Sequence, residues 1–566
     1  MTELGSLVAG STEAIATLDW YPADHAWAGN LKRVTSPNNH RNERYWVEYE
    51  YDAVIGAYVE RTTDAHGYVS EARHDYALGE NVWTKDLNGE ETLRQFDGFG
   101  RLWKMAAPGF SLGSPTVEIA YAQTAPVPRA LTKNRLPDGR SLQTAVLMDG
   151  IGRVIQTKKT AEVWTGSLEG TRVGWSVTGH QRFDVMGRVV EQGQLFFDPT
   201  LAQGFTTGVP RNPTRLFYDV LGRTLQTVEP NGALTRVQFG FGQASGAGIT
   251  RRKTTSVDAL GKVRVVYQDA TERTVAVEEH VEGRTPTTHY AYDRLGQLVG
   301  VIDAAGNRTK VEYDLLGQRT RLDNPDTGAT SFAYDLAGNL TSRRDARKVV
   351  TTYVYDFERL KEIQYPNAAR NVVYEYGAPG AAENGAGRIT WVKDEVGTET
   401  RGYDVLGNMA LSTRSVEPLK PGDVAHTFTT TFKFDVYGRM LSMVYPDGEG
   451  LTYRYDAGGL LSWAQGARPA TKWAPAQTET YLGALLYDEF GQRRYQRVGN
   501  GVVTKYDYEP LTRRLAWLHT QKPGERVFQN LTYRYDLVGN VLGVKNGLGE
   551  PVPPHAGTVD YEYKYL

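Results

Sequence analysis

The chain has 566 residues, and its 64 basic and 66 acidic side chains give a formal net charge of −2. The two signs are interspersed, so the composition favours neither a nucleic-acid partner nor an anionic membrane surface. Cysteine is absent, which excludes disulfides and thiolate metal sites. No apolar run approaches the length of a membrane span. With 34 tyrosines and 60 glycines, the composition is typical of strands joined by tight turns.

The first part of the chain differs from the rest. Residues 1–44 show no clear repeat, and we expect them to form an N-terminal cap or edge segment. The first residues lack the basic region and apolar core of a secretory signal, so export would need a dedicated delivery system. From residue 45 to residue 566 one short phrase recurs, first in weaker forms. Early copies begin at Tyr51, His74, Phe96, Met148, Phe183 and Tyr218.

The phrase is most regular between residues 290 and 360. It consists of Tyr-Asp, two variable residues, Gly, and then Gln, Asn or Arg. The step between copies is 21 residues, which is a repeat period and not a chance recurrence. The copies there are Tyr292-Asp293 with Gly296, Tyr313-Asp314 with Gly317, Tyr334-Asp335 with Gly338, and the looser Tyr355-Asp356.

Each copy predicts one β-hairpin. Residues 309–313 alternate β-prone and charged side chains, which is the period of a half-solvated strand. Asp314 suits the first position of a turn, and Gly317 suits the left-handed conformation that ends a type I turn with a bulge. Residues 318–322 form the second strand, and the Asn-Pro-Asp-Thr-Gly stretch turns the chain round again. In each copy we therefore expect the tyrosine to pack on the sheet, the aspartate to cap the turn, and the glycine to adopt the left-handed conformation that the turn requires.

Later copies and interruptions complete the array. Further phrases begin at Tyr403, Phe434, Tyr455, Tyr487 and Tyr535. We expect residues 240–248 to be a flexible loop, and residues 412–425 and 466–480 to be surface loops, because proline interrupts a strand ladder. Residues 560–566 read as the first strand of a further hairpin, so we expect the array to be incomplete at its C-terminus.

The number of hairpins restricts the architecture. A period of 21 residues gives on the order of twenty hairpins, hence roughly forty strands. Twist accumulates across so wide a sheet, which must curl, split or close. A spiral ribbon of hairpins meets this constraint. A β-propeller is the alternative, but its similarity should be strongest at every second hairpin. We therefore predict an all-β fold, a long spiral ribbon of hairpins that forms a hollow shell or part of one.

The phrase and its period resemble the YD-repeat, or Rhs (rearrangement hotspot), family. The resemblance covers nearly the whole chain from residue 45, and Tyr218 to Arg223, Tyr313 to Gln318 and Tyr535 to Asn540 carry it best. It implies a hollow β-shell that encloses a toxic polypeptide, as in the B and C components of toxin complexes and in Rhs effectors. The Asp-Pro-x-Gly core motif of the family is not found, nor is a variable toxin domain. Autoproteolysis and toxicity are therefore not implied for this chain.

Possible catalytic motifs are weaker than their structural explanations. The stretch from Gly109 to Gly113 matches a nucleophile elbow around Ser111, but prolines flank it and no helix pattern follows, so we expect an inter-strand loop. Asp326-Thr327-Gly328 resembles an aspartic-protease triplet, but it lies in a predicted turn. His66 and His74, expected on adjacent strands, are the nearest histidine pair of note. We expect no catalytic, cofactor-binding or metal-binding residue, and no cofactor.

The sequence thus favours a non-enzymatic container. We expect a shell that sequesters a toxin or other passenger polypeptide before delivery, with other parts of a toxin-delivery complex as partners and with export from the cell. The alternative is a cell-surface adhesion or glycan-binding repeat protein, for which the many aromatic side chains could contact sugars. A hydrolase built around Ser111 is a distant third.

Overall fold

The computed structural model describes residues 2–8, 12–167, 169–418, 420, 424–472, 474–548 and 560–562. The chain divides into two compact units, each made of two separate stretches of sequence. The first unit contains Met1–Thr116 and Thr288–Asp447, and the second contains Val117–Thr287 and Gly448–Leu566. We call the stretches of each unit its early and late segments, and we call the contacts between them the seam of that unit.

Strands follow one another throughout the described residues. The early segment of the first unit holds β1 (Thr2–Val8), β2 (Thr12–Trp20), β3 (Leu31–Thr35), β4 (Trp46–Tyr51), β5 (Val59–Asp64), β6 (Val69–Asp75), β7 (Glu80–Lys85), β8 (Glu91–Phe96) and β9 (Leu102–Ala106). The early segment of the second unit holds β10 (Val117–Ala122), β11 (Arg129–Arg135), β12 (Ser141–Met148), β13 (Val154–Trp164), β14 (Thr171–Thr178), β15 (Gln181–Phe183), β16 (Val189–Gln192), β17 (Phe196–Asp198), β18 (Thr214–Tyr218), β19 (Thr224–Val228), β20 (Leu234–Gly242), β21 (Arg251–Val257), β22 (Val263–Gln268) and β23 (Thr274–His280).

The late segments continue the pattern. That of the first unit holds β24 (Thr287–Tyr292), β25 (Leu298–Ile302), β26 (Arg308–Tyr313), β27 (Arg319–Asn324), β28 (Gly328–Tyr334), β29 (Leu340–Arg344), β30 (Val350–Asp356), β31 (Arg359–Gln364), a 3-10 turn (Ala368–Arg370), β32 (Val372–Tyr376), β33 (Ile389–Asp394), β34 (Gly397–Tyr403), β35 (Met409–Val416), β36 (His426–Phe434) and β37 (Met440–Val444). That of the second unit holds β38 (Gly450–Tyr455), β39 (Leu461–Arg468), β40 (Gln477–Tyr487), β41 (Arg493–Val498), β42 (Val503–Tyr508), β43 (Leu515–Gln521), β44 (Val527–Tyr535), β45 (Val541–Asn546) and β46 (Asp560–Glu562).

The hairpin predicted around Asp314 is confirmed. The β26 and β27 strands pair in antiparallel register, with a shift between Glu312 and Tyr313 that marks the expected bulge. The Asp314 carboxylate accepts the backbone N–H groups of Leu316 and Gln318, both at 2.9 Å. Gly317 has φ +79°, the left-handed conformation that favours glycine. The fold is therefore the predicted all-β ribbon of hairpins.

Strands hydrogen-bond to their sequence neighbours with one exception. Within the described residues, β1 to β14 are ordered by sequence in one sheet, and β18 to β46 follow β15 and β16 by sequence in another. The exception is β17, which leaves this order and pairs with β14 through Val177 and Phe196. Because β17 departs, the ribbon is divided into two sheets at this point.

The largest buried cluster lies where β17 packs in the second unit. Its members are Leu131, Ala145, Leu147, Trp175, Val177 and Phe196. Beside it the fully buried ammonium group of Lys158 is 3.2 Å from the Asp198 carboxylate and donates to the Ala202 carbonyl at 2.8 Å. Hydroxyls of Thr200 and Thr206 also donate to Asp198. A buried charge needs this full set of partners.

The predicted loops are shorter than the sequence suggested. Residues 412–416 belong to β35, residues 466–468 to β39 and residues 477–480 to β40. The 240–248 stretch is likewise strand as far as Gly242, and its Ala244 is buried. Strands extend past the glycines and polar residues because pairing with long neighbours satisfies their backbone groups. In the terminal stretch, Asp560–Glu562 is a strand paired with β45, and residues 563–566 lie outside the described residues.

Candidate functional site: the repeat turns and the two seams

The two possible catalytic positions of the sequence analysis, Ser111 and Asp326, lie in loops. Ser111 follows β9 and forms an isolated bridge with Ser114, whose N–H donates to the Ser111 carbonyl at 2.9 Å. Asp326 lies in the short turn between β27 and β28, where its backbone N–H donates to the Asn324 side chain at 3.0 Å. Both positions are explained by local turn geometry.

The two histidines of the sequence analysis are not on adjacent strands, and that expectation is wrong. His66 lies in the turn that precedes β6, and His74 lies near the other end of the same strand. His74 stacks on Tyr58 with ring centroids 4.6 Å apart. Burial and the neighbouring Arg359 guanidinium lower the pKa of His66, which favours its neutral form. Within the described part of the chain, no cluster of three or more His, Asp or Glu side chains is placed to hold a metal ion.

The arginine that ends many copies of the phrase has a role that the sequence analysis missed. In the turn opened by Asp184, the Arg188 guanidinium lies 2.7 Å from the Asp184 carboxylate. The same guanidinium lies over the Tyr218 ring at 4.9 Å and donates to the Asp219 carbonyl at 3.0 Å. Since Tyr218 and Asp219 begin the next copy, one arginine holds its own turn and joins it to the following one.

The repeat tyrosines also link neighbouring hairpins. The Tyr334 hydroxyl donates to the carbonyl of Arg319, the first residue of β27, at 3.2 Å. The equivalent hydroxyl of Tyr535 donates to Leu515, the first residue of β43, at 2.8 Å. Such bonds satisfy the polar end of each ring while its apolar body packs on the sheet. Similar bonds are formed by Tyr51, Tyr218, Tyr376, Tyr403, Tyr487 and Tyr508.

In the first unit the seam is centred on Phe357. This residue has φ +54° in the two-residue turn between β30 and β31, a strained conformation for a bulky side chain. Its carbonyl accepts the Asn39 amide at 2.9 Å, and its N–H donates to Glu43 at 3.2 Å. Its ring meets the His66 ring edge-on, with centroids 4.9 Å apart. The early segment thus holds a strained turn of the late segment.

Other turns of the first unit extend this seam. The His40 backbone N–H donates to the Asp335 carboxylate at 3.0 Å. The Tyr68 hydroxyl donates to the Gly377 carbonyl at 2.5 Å and accepts from Arg359 at 2.9 Å. Within the described residues these two segments meet through side chains and turns, since no strand of the early segment pairs with a strand of the late segment.

The second unit has a seam of the same kind. The Ser176 hydroxyl donates to the Glu489 carbonyl at 2.9 Å, and the Gln194 amide donates to the Leu511 carbonyl at 2.7 Å. Trp164 of the early segment packs on Tyr495 of the late segment, with ring centroids 5.7 Å apart. Arg497 pairs with Glu169. In both units, then, side chains of the early segment hold turns of the late segment.

Comparison with known proteins agrees with these observations. The family model described as RHS Repeat matches residues 292–329, where the phrase is most regular. Two curated relatives from Yersinia entomophaga are similar to part of the chain. The toxin subunit YenC1 is 36% identical over 126 residues, and the toxin subunit YenC2 is 34% identical over 131 residues.

The predicted resemblance to the YD-repeat, or Rhs, family is confirmed. The match to YenC1 covers 21% of this chain and 12% of the relative, and that to YenC2 covers 22% and 13%. The matches thus cover about an eighth of the length of these toxin subunits.

Solved structures share the fold over the whole length of the chain. A crystal structure of TcdB2-TccC3-Cdc42 matches with a TM-score of 0.82 and 18% identity, over 100% of this chain and 34% of that one. A Tc holotoxin pore of Photorhabdus luminescens matches with a TM-score of 0.81 and 18% identity, over 100% and 33%. At this identity the similarity shows the fold alone.

Proposed function

We propose that this chain forms part of the wall of a container that sequesters a toxic or other passenger polypeptide before delivery. The observation that carries the proposal is the ribbon of hairpins itself, which continues through the described residues in a fold shared with toxin-complex proteins. A ribbon of paired hairpins offers broad sheet faces, which suit enclosing a polypeptide better than binding one small substrate. Its repeat residues are used in turns and in links between hairpins, so we infer a non-enzymatic role.

The partners follow from the same comparison. The similar proteins are toxin subunits and toxin-complex components, so we infer that this chain works with other parts of a toxin-delivery complex and acts outside the producing cell. No helix in the described ranges is long and apolar enough to cross a bilayer. We propose that residues 1–44 form a cap or edge segment and that residues 45–566 form the shell segment.

Protection of a passenger tests the proposal. A test polypeptide that is protease-sensitive when free would be encoded after the chain, together with any segments that flank the chain in the native protein. We expect it to survive proteolysis while the wall is intact, and to be digested once mild denaturant opens the wall. Equal digestion of the free and the fused passenger in native buffer would contradict the proposal.

A further inference from the structure

One repeat turn of the second unit lacks the usual positive charge. Asp456 opens a turn of the late segment, is only 7% exposed, and accepts the backbone N–H groups of Gly458, Gly459 and Leu460, the last at 2.8 Å. In many other copies the residue four places after the aspartate is arginine, which pairs with the carboxylate. Examples are Asp97 with Arg101, Asp184 with Arg188, and Asp435 with Arg439. Leucine at position 460 supplies no such charge.

Other buried turn aspartates have compensating partners. Asp52 accepts five backbone N–H groups from the residues of its own turn. Asp435 is paired with Arg439 at 2.6 Å, and Asp488 is paired with Arg513. A buried carboxylate is tolerated in its ionised form only when such partners surround it.

Asp456 has the three backbone N–H groups of its turn, but it also faces a second carboxylate across the seam. Glu162 belongs to β13 of the early segment, and its Oε2 accepts the N–H of Ala457, the residue next to Asp456, at 2.8 Å. Its Oε1 accepts the Thr171 hydroxyl at 2.7 Å. The Glu162 side chain is therefore fixed beside Asp456 by bonds to both segments.

The surrounding charges offset the repulsion between the two carboxylates only in part. Arg140, in the turn between β11 and β12, donates to the Tyr455 carbonyl at 3.2 Å and lies near both carboxylates. Its guanidinium is also 2.7 Å from the Asp138 carboxylate, so one positive charge is shared among the carboxylates of Asp138, Glu162 and Asp456. Tyr487 of β40 is the other titratable group that faces Asp456, and its hydroxyl donates to the Leu461 carbonyl at 2.7 Å.

We propose that Asp456 and Glu162 form a proton-dependent clasp at the seam of the second unit. When Asp456 holds a proton, the two carboxyl groups do not repel each other, and the turn that follows Tyr455 stays packed against β13. When Asp456 ionises, two negative charges share a buried site and the seam loosens. The clasp rests on the geometry of the seam and does not depend on the proposed container function.

Electrostatics gives the direction of the pH dependence. Burial is the largest influence on the pKa of Asp456 and, with the charge of Glu162, outweighs the opposing backbone N–H groups of the turn, which raises this pKa to about 6. An unfolded aspartate has a pKa of about 3.9. Because the folded value is the higher one, the stabilisation is complete below the unfolded pKa and is lost as the pH rises through about 6. Mild acid should therefore tighten the seam.

Hydrogen exchange of the full chain tests the clasp. Protection factors, corrected for the intrinsic pH dependence of exchange, would be measured for the turn 456–460 and for β13 at pH 5 and pH 7.5. We expect wild-type protection to be on the order of ten-fold higher at pH 5. Asp456→Asn, which imitates the protonated acid, should remove the difference and show the high protection at both pH values.

Two further variants separate the clasp from general acid effects. Glu162→Gln removes the neighbouring charge and should move the midpoint of the transition to lower pH. This variant also keeps the test decisive if Asp456→Asn folds poorly. Asp435→Asn, a buried turn aspartate of the first unit, should leave the response of the turn 456–460 unchanged. Equal wild-type protection at both pH values, higher protection at pH 7.5, or an unshifted midpoint in Glu162→Gln would overturn the proposal.

Discussion

The backbone carbonyl of Phe357 accepts a hydrogen bond from the side-chain amide of Asn39 at 2.9 Å, although 318 residues separate them. Asn39 is itself nearly buried, at 4% exposure, and bonds Glu43, which accepts the Phe357 N–H. The strained turn at Phe357 is thus held on both of its backbone polar groups by the early segment of the first unit. Long-range cohesion of the ribbon depends on such points, because its strands pair locally.

Replacing Phe357 should weaken the seam of the first unit. Phe357→Ala keeps the strained backbone but removes the ring that packs against His66, so we expect a loss of roughly 1–3 kcal/mol, seen as a lower Tm and faster local hydrogen exchange. Phe99→Ala is the matched control, since Phe99 also lies in a repeat turn but is 78% exposed. Equal effects of the two variants would show that the ring of Phe357 does not stabilise the seam.

The left-handed glycine of the repeat should be sensitive to substitution. Gly317 has φ +79°, and an added Cβ would also lie 2.9 Å from the Gln297 side chain. Gly317→Val should cost about 1–2 kcal/mol or more and loosen exchange in the turn between β26 and β27. Lys310→Gln should do little, because Lys310 is exposed and its pair with Glu312 lies at the surface. Similar losses of Tm in both variants would contradict the turn assignment.

Much of this hairpin could be predicted from sequence, because its determinants are local. Asp314 and Gly317 lie three residues apart and fix the turn by their own backbone preferences. The role of Arg188 could not be read in the same way, since it depends on how one hairpin is seated beside the next. The contact of Asn39 with Phe357 could not be predicted from sequence at all, because no local pattern relates residues that are so far apart in the chain. The histidine pair was misplaced because strand ends could not be located to the residue.

The aspartate caps should contribute stability that is lost in acid. Burial alone would raise the pKa of Asp52, but the N–H groups of Tyr58 and its turn neighbours outweigh it and hold that pKa well below its usual range. Because the folded pKa is depressed, the contribution is present above about pH 4 and lost as the pH falls through the folded value.

Asp52→Asn should therefore lower the Tm at pH 7, where its amide accepts through one oxygen only. The Tm difference from wild type should shrink as the pH falls toward 2 and the wild-type carboxylate begins to protonate. Thermal unfolding followed by circular dichroism across this pH range measures it. A difference that stays constant or grows in acid would argue against a charge-dependent cap.

The arginine link between successive turns should stabilise more than a surface ion pair. Arg188→Ala removes both the contact with Asp184 and the stacking on Tyr218, so hydrogen exchange in the turn that follows Tyr218 should accelerate on the order of ten-fold. Arg182→Ala is the control, because the Arg182 side chain is 62% exposed, pairs with Glu191 on the neighbouring strand and, within the described residues, stacks on no ring of the next turn. If exchange in that turn is unchanged in Arg188→Ala, the arginine does not join the two hairpins.

The central claim is that the ribbon is the wall of a container, and electron microscopy of the purified chain, together with any segments that flank it in the native protein, tests it most directly. The account predicts a hollow particle with a thin β-wall and internal density when a passenger is encoded. The Phe357→Ala and Phe99→Ala variants extend the test, since only the first should give open or broken particles. A compact solid particle, or a flat disc with a narrow central channel, would contradict the account.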